Sequence, residues 1–359
     1  MIEGKPVTID GDGNQSRDML HVGDIATANL AVLDRGDGGT YHISTGIPVS
    51  VNDLYRKLAI LTEYRLEPCK AALNHVRGMP FAWSLNPYMG CAHRCTFCYV
   101  RHFEQRADRP SDDRYGRSIR VKTNVAEVLA RELARRSWRR EEVVIGAATD
   151  PYQPAEGRFR LTRACIEALT QAWTPFSIVT RGPLVVRDAD VLKAAAARVE
   201  VNVSVSLPTL DEQVWRTTEP GTAPPASRLE AIRRLAAADI DVTVGMAPIL
   251  PGLSDEPDRL AEVVRAAKGA GARTVWANVL YLKPGIREHF LENLARDWPE
   301  QVERYERLFA GRAYLPKSIT EPIREQVRTA AQALPRVERV RPRGPRPPLA
   351  EPRQLTLTF

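Results

Sequence analysis

The most specific signal in this chain is the stretch Gly90-Cys91-Ala92-His93-Arg94-Cys95-Thr96-Phe97-Cys98-Tyr99. Its three cysteines follow a C-x3-C-x2-C spacing, close enough for the thiolates to converge on one metal site. A structural zinc site needs four ligands, and no second pair of Cys or His follows at zinc-finger spacing. A ferredoxin-type cluster also needs a fourth cysteine, whereas Cys69 precedes the predicted strand and Cys165 falls within a predicted helix. The spacing therefore favours a 4Fe-4S cluster that is held by Cys91, Cys95 and Cys98 and leaves one iron open.

Around this loop the chain alternates predicted strands with predicted helices. Apolar runs rich in β-branched residues are typical of strands buried on both faces, and they occur at 143–148, 176–180, 199–207, 240–247 and 274–280. Amphipathic helices are predicted at 125–136, 162–173, 189–197, 226–238 and 257–270. With a first strand at 84–88, the pattern predicts an α/β fold, a partial parallel (β/α)6 barrel. The loops at the carboxyl ends of its strands should carry the chemistry.

Composition places the chain among ordinary globular proteins. The 359 residues contain 51 Lys and Arg against 44 Asp and Glu, a formal net charge of +7, which is compatible with a polyanionic partner. No run approaches the roughly 18 apolar residues that a membrane crossing needs, and no secretory signal opens the chain. Five cysteines, an odd number, do not make a disulfide framework. We therefore expect a cytoplasmic protein that makes no membrane contact.

The sequence predicts three segments. Residues 1–66 read as a small appendage, with strand-like runs at 6–9 and 39–44 and a helical stretch at 22–33. Residues 67–330 form the core domain. Residues 331–359 form a disordered tail that is rich in Pro and Arg.

The cysteine spacing, the aromatic residue before the third cysteine and the repeated βα units resemble the radical S-adenosylmethionine (SAM) superfamily. Further motifs resemble its spore photoproduct lyase-like branch, and in particular the uncharacterised actinobacterial members of that branch. These motifs are Thr149-Asp150-Pro151-Tyr152-Gln153-Pro154-Ala155-Glu156, Val179-Thr180-Arg181-Gly182-Pro183-Leu184, Glu219-Pro220 and Pro248-Ile249-Leu250-Pro251-Gly252-Leu253-Ser254-Asp255. The resemblance implies an enzyme that uses a 4Fe-4S cluster to cleave SAM to a 5′-deoxyadenosyl radical, which abstracts hydrogen from a substrate.

The resemblance also implies which residues bind SAM. Thr149 and Asp150 would bind its amino group. Arg181 stands where the branch usually has a lysine, and its planar guanidinium suits the SAM carboxylate. Ser206 would bond the ribose, and Phe97 would cover the cluster and the radical.

Two tyrosines are the candidate catalytic residues. Tyr99 matches one of two tyrosines that the lyases carry near the cluster, while Tyr152 and its neighbour Gln153 would face the substrate. The lyases also need a hydrogen-donor cysteine just before the Thr-Asp pair, where this chain has Ala147 and Ala148. Reversal of a thymine dimer is therefore not expected, and the implied radical would act on a different substrate.

Residues 3–64 resemble part of the substrate domain of extended short-chain dehydrogenase/reductase sugar-nucleotide epimerases. The string Gly11-Asp12-Gly13-Asn14-Gln15-Ser16-Arg17-Asp18 carries much of this resemblance. The glycine-rich dinucleotide turn and the Tyr-x-x-x-Lys pair of that family are both missing from the sequence. We therefore expect a truncated fragment without catalytic activity.

The chain ends in Gln354-Leu355-Thr356-Leu357-Thr358-Phe359, which matches the Q-x-x-L-x-F pattern of proteins that dock on the DNA sliding clamp. Gln354, Leu357 and Phe359 would be the anchors, and DNA would be the associated partner. A radical enzyme acting in nucleic-acid repair or modification is therefore one interpretation. A radical enzyme for a small molecule or peptide is the alternative, and an iron-sulfur protein without enzymatic activity is a distant third. Either enzyme needs a reductant such as flavodoxin or ferredoxin.

Overall fold

The computed structural model describes residues 62–107, 109–112 and 114–335, together with the short strands β1 (Ser16–Asp18) and β2 (Pro48–Ser50). The chain divides into two compact units, Met1–Thr62 and Glu63–Phe359. In the first unit β1 and β2 pair antiparallel. The strands predicted at 6–9 and 39–44, the helix predicted at 22–33 and the tail from residue 336 lie outside the described residues.

The second unit is built on a sheet with seven described strands. They are β4 (Leu73–His75), β5 (Trp83–Leu85), β8 (Val143–Ile145), β9 (Phe176–Thr180), β10 (Val201–Ser206), β11 (Val242–Ile249) and β12 (Thr274–Val279). Their spatial order is β12-β11-β10-β9-β8-β5-β4, with β5 to β12 parallel and β4 antiparallel to β5. The six parallel strands coincide with the six predicted from the sequence, so the predicted α/β class is confirmed.

Helices pack against this sheet through apolar stripes. In the second unit the described helices are α1 (Val100–Arg106), α2 (Val125–Leu133), α3 (Pro154–Phe159), α4 (Leu161–Gln171), α5 (Ala189–Ala196), α6 (Glu212–Thr218), α7 (Pro225–Ala237), α8 (Pro257–Gly269), α9 (Ile286–Asp297), α10 (Val302–Leu308) and α11 (Lys317–Gln332). Cys165, on α4, is fully buried in the main hydrophobic core, as its position in the helical pattern predicts. Among the described residues, no helix is long and apolar enough to cross a bilayer.

The two faces of the sheet differ in chemistry. Val203 pairs with Ile178 and Val242 across three strands, and all three side chains are buried in the main core. On the opposite face Ser204 pairs with Thr243, and the Asn202 amide donates to the Thr243 hydroxyl at 2.7 Å. Because successive side chains of a strand point to opposite faces, one face of the sheet packs against the helices. The other face stays polar, as expected for a face that lines a site.

A smaller sheet supports the cysteine loop. It consists of β3 (Glu63–Glu67), β7 (Ser118–Lys122) and β6 (Tyr88–Met89), with β7 in the centre. The domain boundary predicted after residue 66 falls inside β3, because Glu63–Glu67 pairs in register with Ser118–Lys122. Since β6 ends directly before Gly90, this sheet fixes the point at which the cysteine loop begins.

Candidate active site at the cysteine loop

The three cysteines lie on one tight loop between β6 and α1. Successive turns are closed by bonds from Arg94 N to Cys91 O at 3.3 Å and from Cys98 N to Cys95 O at 3.2 Å. Cys91 and Cys95 are buried and Cys98 is half-buried. The loop therefore holds the three thiols in protein interior close to the carboxyl ends of the parallel strands.

Burial and mutual repulsion disfavour free thiolates here. Burial raises the pKa of Cys98, and a charge on Cys91 raises it further. Burial also raises the pKa of Cys95, a shift that Arg181 opposes and that charges on Glu219, Cys98 and Cys91 reinforce. A thiolate at Cys95 or Cys98 therefore needs a cationic partner.

This donor set fits an iron-sulfur cluster. Thiolates are the ligands that hold such clusters, and the two remaining cysteines lie apart, since Cys165 and Cys69 pack in or against the main core. Among the residues that the structure describes, no group of three His, Cys, Asp and Glu side chains is placed to hold a single metal ion.

Arg101, on the first turn of α1, ties the loop to the next segment of chain. Its Nη1 donates to the carbonyls of Ser111 and Asp112, each at 2.7 Å. Its guanidinium lies 4.7 Å from the centre of the Tyr115 ring, and the Tyr115 hydroxyl is 3.7 Å from Cys98 Sγ. The next residue, Gly116, has a φ of +80°, and any Cβ there would collide with the carbonyl of Cys91. This packing holds Tyr115 and Gly116 against Cys98 and Cys91.

Thr149 and Gln153, after β8, fasten the start of the loop. The Thr149 hydroxyl donates to Gly90 O at 2.6 Å. The Gln153 amide donates to Gly90 O at 3.1 Å and to the Thr149 hydroxyl at 2.9 Å, and its oxygen accepts from Ala92 N at 3.0 Å. Gln153 is fully buried and its amide is committed to the loop, and its place beside a substrate stays a prediction.

Asp150 links the loop to β9. Its Oδ1 accepts from Tyr152 N at 2.8 Å and from the Thr180 hydroxyl at 2.6 Å, and its Oδ2 accepts from Arg181 N at 2.6 Å. His93 Nδ1 lies 3.2 Å from Asp150 Oδ2. Burial opposes ionisation of Asp150, but His93 and the Thr180 and Arg181 donors outweigh it and lower the pKa to about 2. Burial likewise opposes protonation of His93, yet Asp150 and Cys91 raise its pKa to about 10.

Arg181, after β9, is held between the loop and a buried carboxylate. Its Nε donates to Glu219 Oε1 at 2.6 Å, and its Nη2 donates to Ala247 O at 2.9 Å. Its guanidinium lies 5.6 Å from the centre of the Phe97 ring. The second oxygen of Glu219 pairs with Arg228 Nη2 at 2.8 Å. Burial opposes ionisation of Glu219, but the two arginines lower its pKa below its usual range.

The segment that carries Glu219 also supports the loop backbone. Thr96 N donates to Thr218 O at 2.9 Å, and Gly221 N donates to His93 O at 3.0 Å. A Cβ on Gly221 would collide with the carbonyl of Ala92. The Arg228 guanidinium continues the network, with Nη1 donating to Ser206 O at 3.0 Å.

The predicted site residues thus largely come together. The three cysteines, Phe97, Thr149, Asp150 and Arg181 share one contact network, which Ser206 joins through its carbonyl oxygen. Tyr99 is 38% exposed on the rim, with its ring edge-on to Phe103 at 6.0 Å. Tyr152 packs in the main core. The role of each in binding or catalysis stays a prediction.

Sequence reasoning missed four supporting residues. His93, Arg101, Tyr115 and Glu219 are all buried and all contact the network described above. Glu219 stood in a motif that resembled the lyase-like branch, and that was its only signal. Because the partners of these residues are distant in sequence, the contacts emerge only from the fold.

Comparison with known proteins agrees with this architecture. Residues 85–264 match the family model of the radical SAM superfamily, and the chain belongs to that superfamily. An uncharacterised protein of Mycobacterium tuberculosis is 42% identical over 262 residues, a match that covers 72% of this chain and 77% of that protein. An uncharacterised protein of Methanocaldococcus jannaschii is 23% identical over 236 residues, covering 66% of this chain and 83% of that protein.

The fold is also similar to that of a spore photoproduct lyase mutant with bound AdoMet and dinucleoside spore photoproduct. The TM-score is 0.58 at 14% identity, and the match covers 87% of this chain and 91% of that chain. Residues 1–44 match the model of the NAD dependent epimerase/dehydratase family. The resemblances to the radical SAM superfamily and to the epimerase family that were inferred from the sequence are therefore confirmed, and the fold is similar to that of the lyase.

Proposed function

We propose that this chain binds a 4Fe-4S cluster through Cys91, Cys95 and Cys98 and cleaves SAM reductively. When bound and reduced, the cluster supplies the electron that breaks SAM into methionine and a 5′-deoxyadenosyl radical. The observation that carries the proposal is the C-x3-C-x2-C loop, closed by two backbone turns with two thiols buried and the third half-buried, in a member of the radical SAM superfamily. Burial that disfavours free thiolates is what a cationic iron cluster would offset.

Arg181 would bind the carboxylate of SAM. Its Nε and Nη2 are used by Glu219 and Ala247 O, whereas no described residue accepts a hydrogen bond from Nη1. The bonds at Nε and Nη2 hold the guanidinium plane fixed, so binding a carboxylate at the remaining edge costs little ordering. The guanidinium lies 5.6 Å from the centre of the Phe97 ring on the cysteine loop, which supports a role beside the cluster.

Asp150 and Thr149 would bind the SAM ammonium. Asp150 is held ionised by its internal donors, and because these and His93 already occupy its two oxygens, it would attract the ammonium chiefly through its negative charge. The Thr149 hydroxyl has already donated its proton to Gly90 O, so it can meet an ammonium only as an acceptor. Ser206, buried on the polar face of β10, would bond the ribose.

A nucleic acid is the substrate class that we propose for the radical, in repair or modification. The fold similarity to a lyase solved with a dinucleoside spore photoproduct supports this choice, as does the excess of 51 Lys and Arg over 44 Asp and Glu. The terminal hexapeptide would add docking on a DNA sliding clamp, and a flavodoxin or ferredoxin would supply electrons.

A small molecule or peptide substrate is the second candidate, and one feature favours it. Ala148 stands near the position where the lyases carry their hydrogen-donor cysteine, and it packs against the cluster of Cys91, Val100 and Tyr115. A radical left on the product therefore has no thiol donor at that position.

The test is anaerobic reconstitution with iron and sulfide, followed by reduction with dithionite in the presence of SAM. About four iron per chain and formation of 5′-deoxyadenosine and methionine are expected. Cys95→Ala should abolish both, whereas Cys165→Ala, a matched change of a core cysteine, should retain the cluster. Full turnover in Cys95→Ala would contradict the ligand assignment. A loaded cluster that never cleaves SAM would leave an iron-sulfur protein without this enzymatic activity.

A further inference from the structure

Exposed aromatic side chains follow the cysteine loop and stand at the bridge after β12. Among the described residues six large hydrophobic side chains are exposed, and three of them are Tyr99, Phe103 and Tyr314, with exposed fractions of 38%, 46% and 58%. Tyr99 contacts Phe103, and Tyr314 contacts Tyr281. Single exposed rings need no explanation, but exposed rings in contact are typical of a surface that binds a partner.

The backbone builds a flat pair of tyrosine rings at this bridge. After β12 the chain forms an antiparallel bridge between Tyr281 and Tyr314, reinforced by a bond from Leu282 N to Ala313 O at 2.8 Å. As direct cross-strand neighbours, the two rings stack with centres 5.0 Å apart and planes 23° apart. A tyrosine has few rotatable bonds, so such a pair presents rigid aromatic area at small entropic cost.

A cation accompanies the rings. Lys283 Nζ lies 5.7 Å from the centre of the Tyr314 ring. This cation–π contact is long and the lysine side chain is flexible, so the contact is weak. A planar ligand can therefore replace the ammonium group on the ring. The displaced ammonium would stay beside the ligand, where it can pair with an anion.

This ring pair lies close to the cysteine loop. His102, on α1, contacts Pro284 O through Nδ1 at 2.9 Å, so the helix that follows Cys98 packs against the segment that follows Tyr281. A ligand on the rings would therefore be held next to the proposed site of radical formation.

We propose that Tyr281, Tyr314 and Lys283 form a stacking platform for an unstacked base of single-stranded nucleic acid. The rings take the base and Lys283 takes a neighbouring phosphate. Every base has an aromatic face, so the platform selects an unpaired strand rather than a sequence. A nucleic acid is favoured over an aromatic peptide because every nucleotide supplies a flat base together with an anionic phosphate. The inference rests on the proposed function only in its choice of substrate class.

The test measures fluorescence anisotropy of a labelled ten-residue oligothymidylate with the full chain, reconstituted and without SAM. Because a base stacked on the ring adds to the affinity, Tyr314→Ala should weaken binding about tenfold, equivalent to about 1.4 kcal/mol, and Tyr314→Phe should restore it. Lys283→Ala should reduce the dependence of log affinity on log salt by about one phosphate contact. Tyr64→Ala, a change of the β3 tyrosine that packs edge-on against Phe159, is the matched control and should leave binding unchanged.

Three outcomes would overturn the platform. They are equal affinity of wild type and Tyr314→Ala, equal affinity for an abasic oligonucleotide of the same length, and no binding of the oligonucleotide at all. Displacement of the oligonucleotide by an acidic, tyrosine-rich peptide of equal affinity would reassign the surface to peptides. Because SAM cleavage is measured without an oligonucleotide, failure of the platform and failure of the radical chemistry are distinguishable.

Discussion

Replacing Glu219 with Gln removes one buried negative charge without changing the volume of the side chain. Glu219 joins Arg181 at 2.6 Å and Arg228 at 2.8 Å, and the Arg228 side chain is completely buried. The amide keeps one acceptor oxygen, so one arginine meets an NH2 group instead. Removing one partner of a buried ion pair typically lowers the free energy of unfolding by about 3 to 5 kcal/mol, because the remaining charge cannot reach water. We expect the free energy of unfolding to fall by about that amount at neutral pH.

The effect should depend on pH in a defined direction. The folded-state pKa of Glu219 is lowered, so its stabilising contribution is present above the unfolded pKa of about 4.3. The contribution is lost as the pH falls through the folded pKa. The difference between wild type and Glu219→Gln should therefore shrink in acid.

The assay is urea denaturation of the metal-free protein, followed by tryptophan fluorescence. Glu212→Gln is the control, because Glu212 forms an exposed i,i+4 pair with Arg216 at 2.8 Å and should give no measurable change. Equal midpoints for wild type and Glu219→Gln would refute the network that holds Arg181.

Four further predictions concern SAM binding, the packing of the cysteine loop, the first unit and the C-terminal hexapeptide. Arg181→Ala should weaken SAM binding by about 1.5 to 3 kcal/mol in equilibrium dialysis while the cluster absorbance persists, and unaltered affinity would contradict the assigned role. Arg101→Ala removes the clamp on the carbonyls of the 111–112 segment, so iron content after reconstitution should drop severalfold, and full loading would show the clamp to be dispensable. Deletion of residues 1–62, which spares β3, should leave SAM cleavage within a few-fold of the full chain, and loss of cleavage with the cluster intact would make that unit part of the site. A peptide spanning 346–359 should bind the sliding clamp of the same organism with micromolar affinity, and equal binding by a peptide with Leu357→Ala and Phe359→Ala would remove the docking hypothesis.

The fold was predictable because local patterns decide it. Buried parallel strands leave continuous apolar runs, and the run at 176–180 coincides with β9 as the structure has it. The strand predicted at 143–148 is shorter in the structure, where β8 ends at Ile145. Gly146 follows with a φ of +91°, and the chain turns there to place Thr149 and Asp150 against the cysteine loop. The sequence shows the apolar run but not where it stops pairing.

The ligand loop was predictable, whereas its supports were not. Three cysteines within eight residues identify themselves by spacing, from Cys91 to Cys98. Glu219 and His93 carry no such signal, because a lone carboxylate or imidazole is usually a solvated or capping group. Their roles arise from partners far away in the chain, since Arg181 precedes Glu219 by 38 positions and Asp150 follows His93 by 57. The same reason hid the Tyr281 and Tyr314 pair, which only the bridge after β12 brings together.

The central claim is that Cys91, Cys95 and Cys98 hold a 4Fe-4S cluster with one iron open to SAM. Electron paramagnetic resonance of the reduced, reconstituted protein tests it most directly. We expect the signal of a reduced 4Fe-4S cluster that changes on addition of SAM and is missing from Cys95→Ala. A signal that is identical with and without SAM, or that survives in Cys95→Ala, would contradict it.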